Sequence, residues 1–452
     1  MDMHDIDLFI EKNLNQSIDE LSKLCAQPSV AAQKLGIDDC ARMVAESLAA
    51  RGFSVQILPT GGSPVVFAER KGTVDKTLLV YDHYDVQPPE PFELWESPPF
   101  EPTLREGRLF ARGVADNKGN LVSRLHAIDA ILAAEGELPC NVKFVVEGEE
   151  EIGSVNLESF VKANQDLLSG DVCVWEVGGV DHEGAPIQMV GLRGIFYVEL
   201  RVRTAKQDVH SGTGGSIFHN AAWRLVWALN SLKDQDEHIR LPGFYDDVIP
   251  PTPREQDLLA QGPKMIPYYL TTYGLDGFLK GIGDELALAI EGVYHPSCTI
   301  CGLTAGYQGA GSKTVLPAAA SAKVDFRLVP NQRPKRVLQQ LRAHLDANGF
   351  EDVEIVDLGG NPPAKTDPDH PAVQMAVRAA ADVYDQPTRV IPMIGGSGPN
   401  FIFQEYLGVP IISSGAGDSE SNAHAPNESI SLELYQKSAK HFARLVKLMA
   451  ED

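Results

Sequence analysis

No apolar run in this chain approaches the ~18–20 residues that cross a bilayer, so no membrane span is expected from its 452 residues. Basic residues are scarce against acidic ones, 39 Lys and Arg to 62 Asp and Glu, a net charge of −23. That deficit excludes a nucleic-acid partner, because phosphate binding needs clustered Lys and Arg. The opening MDMHDIDLFIEKN is acidic where a signal peptide would be basic, and we expect a soluble, cytoplasmic protein. Cysteine is also sparse. Six are scattered along the sequence, and Cys25, Cys140 and Cys173 fall inside predicted apolar elements, as buried reduced thiols do. Cys298-x-x-Cys301 lacks a second Cys or His pair at zinc-ribbon spacing and is read as structural. There is no internal repeat and no low-complexity linker. What remains is globular: 43% hydrophobic and 22% charged, a length for roughly two or three domains.

Helical periodicity fills residues 4–52, with Ile6, Phe9, Ile10, Leu14, Ile18 and Leu21 in one group and Ala41, Val44, Ala45 and Leu48 in another, predicting two helices. Strands are expected at 54–58, 65–69, 77–81, 142–147 and 172–176, with helices at 120–135 and 157–165. Strands alternating with helices predict a mostly parallel sheet. After GLRG at 191–194 the pattern changes: 196–204 and 318–328 alternate like half-buried antiparallel strands, and 220–232 and 334–348 read as amphipathic helices. From about Gly360 the first pattern returns, with helices at 371–384, 399–405 and 431–448 and strands at 389–392 and 410–414. The expected architecture is α/β: a catalytic domain from residues 1–191 and 361–452, interrupted by an inserted α+β lid and dimerisation domain over 192–360.

The chemistry-bearing residues gather at strand ends. In LVYDHYDVQPP, His83 and Asp85 follow an apolar run and share one face of an extended chain, at the end of the strand where open α/β sheets bind ligands. Asp116 lies in GRLFARGVADNKGN, Glu149, Glu150 and Glu151 in KFVVEGEEEIGS, Glu176 in DVCVWEVGG, and His424 in GDSESNAHAPNES. A charge count makes the grouping specific. Two divalent cations carry four positive charges; Asp116, Glu151 and Glu176 supply three negative ones and a shared hydroxide the fourth. His83 and His424 then give each ion one nitrogen, and Glu150 is left over as a carboxylate suited to general-base work.

HYDVQP, ARGVADNKG, EGEEEIGS and NAHAPNE closely resemble the signature segments of the carnosinase/aminoacylase family of dinuclear metallopeptidases, in order through nearly the whole chain. The resemblance implies His83, Asp116 and Glu176 on one metal, Asp116, Glu151 and His424 on the other, Glu150 as base, and Asp85 as the residue orienting His83. It implies two divalent ions per subunit, zinc first, with manganese or cobalt as alternatives.

Other segments resemble the dipeptidase branch. AKQDVHSGTGGS is similar to a lid loop whose histidine enters the other subunit's site, so His210 would steady the oxyanion in trans within a homodimer. YQGAGSKTVLP and DFRLVPNQ would bring Thr314 and Arg327 to a substrate carboxylate. GGSGPN, with Gly396 and Ser397, opens a predicted helix whose free N–H groups suit an anion. Gly306–Thr314 imitates a phosphate loop but lacks the adjacent Gly-Lys, and Asp208, Ser211 and His219 have no nucleophile-elbow sequence. One residue departs from the branch: Glu176 stands where its dipeptidases usually carry Asp and where deacylases and carboxypeptidases carry Glu. The expected activity is hydrolysis of the amide bond of dipeptides or small peptides with a free carboxylate. The alternatives are an N-acyl amino acid deacylase or carboxypeptidase-type amidohydrolase, and a metal-binding homologue without turnover.

Overall fold

The computed structural model describes residues 3–451; residues 1, 2 and 452, at the outer limits of the expected catalytic segments, lie outside that range. A six-stranded sheet runs in the spatial order Ser54–Leu58, Val65–Arg70, Leu138–Glu147, Gly72–His83, Val172–Trp175, Ile411–Ser413. The first two pairings are antiparallel and the last three parallel. The parallel strands are buried on both faces over residues 78–81 and 144–146 and over Val172–Trp175, because helices cover both sides of the sheet there. Alternation along Leu78–Tyr81 shows the division: Leu78 and Val80 pack into a core with helices Lys118–Glu135 and Leu432–Glu451, while Leu79 and Tyr81 pack with Leu157–Ala163 and Asn400–Leu407.

Register fixes the chemistry at one edge. His83 lies opposite Glu147, and Trp175 lies opposite Ser413. The loops leaving these parallel strands therefore emerge together, and Glu150, Glu151 and Glu176 leave the sheet beside His83.

The N-terminal segment holds three helices rather than the expected two, Met3–Lys12, Leu14–Ala26 and Ile37–Ala50. The break falls at Asn13, whose side-chain amide donates back to the Phe9 carbonyl at 2.9 Å, a local bond that competes with helix continuation. Periodicity hides the break because Ile6, Ile10, Ile18 and Leu21 all enter one core.

A second, antiparallel sheet orders Ser297–Ala305, Ala319–Leu328, Gly194–Arg203 and Glu354–Asn361, and helices Ala221–Leu232 and Pro334–Ala347 share a separate core with it. The chain enters and leaves this unit at adjoining points, since Gly191 and Leu192 pair with Lys365 and Ala364. Its two edge strands bury few side chains, which removes the alternation a sequence reading needs. Helices Pro253–Ala260, Met265–Tyr273 and Glu285–Tyr294 follow in the same stretch of chain, and Leu258 of the first of them packs into the core of the six-stranded sheet. Among the described residues no helix is long and apolar enough to cross a membrane.

Candidate metal centre

At the parallel edge, Asp116 stands between two imidazoles. Its Oδ1 lies 3.0 Å from His83 Nε2 and its Oδ2 lies 3.0 Å from His424 Nε2. His424 Nε2 is also 3.1 Å from Glu151 Oε2, and His83 Nε2 is 3.7 Å from Glu176 Oε2. Ligand atoms of Asp116, Glu151 and His424 all lie within 4.8 Å of one another. The sequence-predicted ligands are thus one cluster, assembled from segments as distant in sequence as those of His83 and His424.

The electrostatics of the cluster favour cations. Burial pulls the His83 imidazole down, but hydrogen bonds to Asp116 and Asp85 and the Glu176 charge hold it well above its ordinary pKa. Hydrogen bonds to Asp116 and Glu151 push His424 up to about 10. Burial, followed by the charge of Glu150, raises Glu176 far above the carboxylate range, and its Oε2 is a buried oxygen with no hydrogen-bond partner. Two imidazoles drawn toward protonation and an orphaned carboxylate oxygen are the signature of a donor set built for positive charge. Divalent ions fit it.

The three consecutive glutamates have three different surroundings. Glu149 turns away, its carboxylate accepting from Ser63 N at 2.9 Å and Asn156 Nδ2 at 2.8 Å. Glu151 joins His424, steadied by Gln87 Nε2 at 2.8 Å. Glu150 lies among the charges, where burial first, opposed by His83 and aided by Asp116, Glu151 and Asp85, pushes its carboxyl up to about 7.

Asp85 holds two parts of this arrangement. Its backbone carbonyl lies 3.0 Å from His83 Nδ1 and its carboxylate 3.4 Å away, so Nδ1–H donates and Nε2 is free to ligate. The carboxylate itself accepts the N–H groups of Glu150 and Glu151 at 3.2 and 3.0 Å.

Other predicted residues form two separate pairs. His210 Nε2 is 3.1 Å from Thr314 Oγ1, both exposed, where Val209–His210 pairs with Val315–Leu316. Arg327 Nη1 donates to Ser397 Oγ at 2.9 Å. Among the described hydrogen bonds and ion pairs, none joins either pair to the metal cluster. Gly396 and Ser397 do not sit on helix N–H groups, because that helix begins at Asn400 with Pro399 as its cap.

Sequence reasoning gave no role to several supporting residues. Arg124 is fully buried; its Nη1 donates to Asp82 and the Tyr81 carbonyl and its Nη2 to the carbonyls of Trp175, Glu176 and Ser414. Asn117 Nδ2 donates to the Glu176 carbonyl at 3.0 Å, and Glu428 accepts from the Asp116 loop. Asn117 and Glu428 lie within the quoted motifs ADNKG and NAHAPNE. Arg124 follows in a helix, where nothing local marks it.

Known proteins resemble the chain over its whole length. Human Beta-Ala-His dipeptidase is 31% identical over 445 residues, covering 96% of this chain and 85% of the relative. Cys-Gly metallodipeptidase dug1 of Schizosaccharomyces pombe is 27% identical over 392 residues, 83% of this chain and 80% of the relative. Among solved structures, an M20 family metallo-carboxypeptidase from Sulfolobus solfataricus matches at a TM-score of 0.92 with 37% identity, covering 96% of this chain and 99% of that one. Human carnosine dipeptidase 1 matches at 0.82 with 28% identity over the full length of both chains. The model of peptidase family M20/M25/M40 spans residues 79–448 and so takes in every clustered residue from His83 to His424. The chain belongs to this family of dinuclear metallopeptidases.

Proposed function

We propose that the protein hydrolyses the amide bond of dipeptides bearing a free C-terminal carboxylate. The observation that carries this is Asp116, whose two oxygens each meet a different imidazole, the arrangement of a carboxylate that bridges two ions. His83, Asp116 and Glu176 would hold one ion and Asp116, Glu151 and His424 the other. Zinc suits these nitrogen and oxygen donors best, and manganese or cobalt would also fit. When bound, such ions polarise the scissile carbonyl and lower the pKa of a water. Glu150 takes the water's proton and returns it to the leaving amine; its raised pKa, about 7, suits both halves of that exchange. Asp85 keeps His83 in its ligating tautomer and fixes the backbone of Glu150. Arg327 receives the substrate carboxylate in a bidentate grip, with Ser397 and Gly396 beside it, and Thr314, which is paired with His210, reaches that carboxylate from the other subunit together with His210.

In this reading residues 192–360 form a lid that also makes a homodimer, and His210 supports the oxyanion of the partner's site. Two features support it: stacked Trp223 and Trp227 lie exposed on helix Ala221–Leu232, and edge strand Ser297–Ala305 exposes Ile300 and Leu303. Six free thiols, five of them buried, suit a reducing cytoplasm.

A second reading has its own support. Glu176 and the 37% identical Sulfolobus carboxypeptidase favour a carboxypeptidase or N-acyl amino acid deacylase. The deciding experiment is a panel of dipeptides, longer peptides and N-acyl amino acids assayed with Zn²⁺, Mn²⁺ and Co²⁺. Dipeptides with a free amino terminus should be cleaved fastest. A tenfold advantage for acylated or longer substrates replaces the dipeptidase reading, and no turnover on any of them identifies a binding homologue.

A further inference from the structure

We propose that Glu428 is a positioning residue that locks the three ligand-bearing loops together and thereby sets the affinity of the His424 half of the centre for its cation. The inference rests on the ligand set proposed above. Glu428 is 1% exposed and lies four residues after His424. Its Oε1 accepts the backbone N–H groups of Ala115 and Asp116 at 2.9 and 3.0 Å. Its Oε2 accepts Gly113 N–H at 2.9 Å and Arg112 Nη1 at 2.7 Å. One carboxylate therefore takes four N–H donors from the loop that carries Asp116, while its own backbone continues the loop that carries His424.

Arg112 extends the lock to the third loop. It is also buried, its guanidinium lies 5.2 Å from the Trp95 ring centre, and its Nη2 reaches the Pro88 carbonyl at 3.4 Å. Pro88 follows Gln87, whose amide steadies Glu151, in the segment leaving His83. The His424 loop needs such an anchor. Asn422, His424 and Asn427 all have left-handed backbone, φ of 50°, 64° and 59°, a conformation that non-glycine residues adopt at a cost. The loop is therefore held by its ends. Asp418 meets the guanidinium of Arg108 with both oxygens at one end, and Glu428 holds the other.

A glutamine at 428 breaks the lock whichever way it turns. It has one acceptor oxygen, so its amide N–H₂ must face one of the two donor pairs. Zn²⁺ titration of the metal-stripped full chain against a chromophoric chelator tests the inference, with Asp116→Asn as control. Wild type should take two ions per chain, and Asp116→Asn should lose at least one. Glu428→Gln should still take two, with the Kd of the weaker ion raised about 10- to 100-fold, the usual scale for residues that orient ligands. If Glu428→Gln lowers the melting point of the metal-free chain but leaves both Kd values within twofold of wild type, Glu428 merely supports the fold and the inference is wrong. If Asp116→Asn binds two ions as wild type does, the ligand set falls and this inference with it. Should Glu428→Gln fail to fold, Arg112→Gln removes one of the four donors to the carboxylate. It should raise the weaker Kd several-fold, and an unchanged Kd overturns the inference.

Discussion

Neighbouring glutamates with different tasks make the sharpest test at the scale of single residues. Glu150→Gln removes a proton acceptor and no ligand, so kcat should fall about 10²- to 10⁴-fold while metal content stays at two ions per chain. Glu151→Gln removes the oxygen beside His424 and should lower bound metal instead. Elemental analysis beside steady-state kinetics separates the two, and a Glu150→Gln enzyme keeping a tenth of wild-type activity would refute the base assignment. Arg124 is a different kind of residue. Arg124→Met would strand the Asp82 carboxylate and four carbonyls without their donor, and breaking one side of a buried pair costs about 3–5 kcal/mol. Chemical denaturation of the metal-free protein should show that loss; an unfolding midpoint equal to wild type would contradict it. The candidate cluster was legible because two histidines, a residue type present only 12 times, fall with carboxylates at strand exits and in the loops beside them. Arg124 was not, because its partners are a carboxylate and four carbonyls from three distant segments, which no local pattern encodes.

Among the elements, the strands buried on both faces and the amphipathic helices stand out from sequence within a few residues of their observed ends. Gly72–His83 begins earlier than expected, since its first half is partly exposed and carries Asp75 and Lys76. The edge strands of the second sheet and the helices at 253–294 stayed hidden, because few of their side chains are buried and apolar periodicity is the signal being read. Helix Leu432–Glu451 contributes a pH-dependent contact. His441 is buried between Ser414 Oγ at 2.9 Å and the Ala376 carbonyl at 3.1 Å, and burial pushes its imidazole down to about 4 from an ordinary 6.5. The folded state thus refuses a proton that the unfolded chain accepts between those values. Its contribution is complete above pH 6.5 and is lost as pH falls toward 4, about 2 kcal/mol between pH 7 and 5. Urea unfolding at both pH values should show a steeper acid loss in wild type than in His441→Gln, and equal losses would dismiss the imidazole as the cause.

For the whole molecule, the separation of His210 from the metal cluster is the informative feature. If the site is composite, His210→Ala and Glu150→Gln should each be inactive alone and complement each other when subunits exchange. A mixed dimer has one site with both lesions and one with neither, so activity should return to about a quarter of wild type on statistical mixing. Demonstrated exchange without recovery would place His210 in its own subunit's chemistry.

The long return of the chain to its first sheet also bears on its synthesis. His83, Asp116, Glu151 and Glu176 emerge from the ribosome well before His424, which lies 308 residues beyond Asp116. Strand Ile411–Ser413 likewise waits for a partner, Val172–Trp175, made far earlier. A nascent chain therefore carries an acidic half-site with one imidazole until translation passes residue 424. On the proposed ligand set, hydrolytic capacity would be withheld from every unfinished copy until His424 has been added.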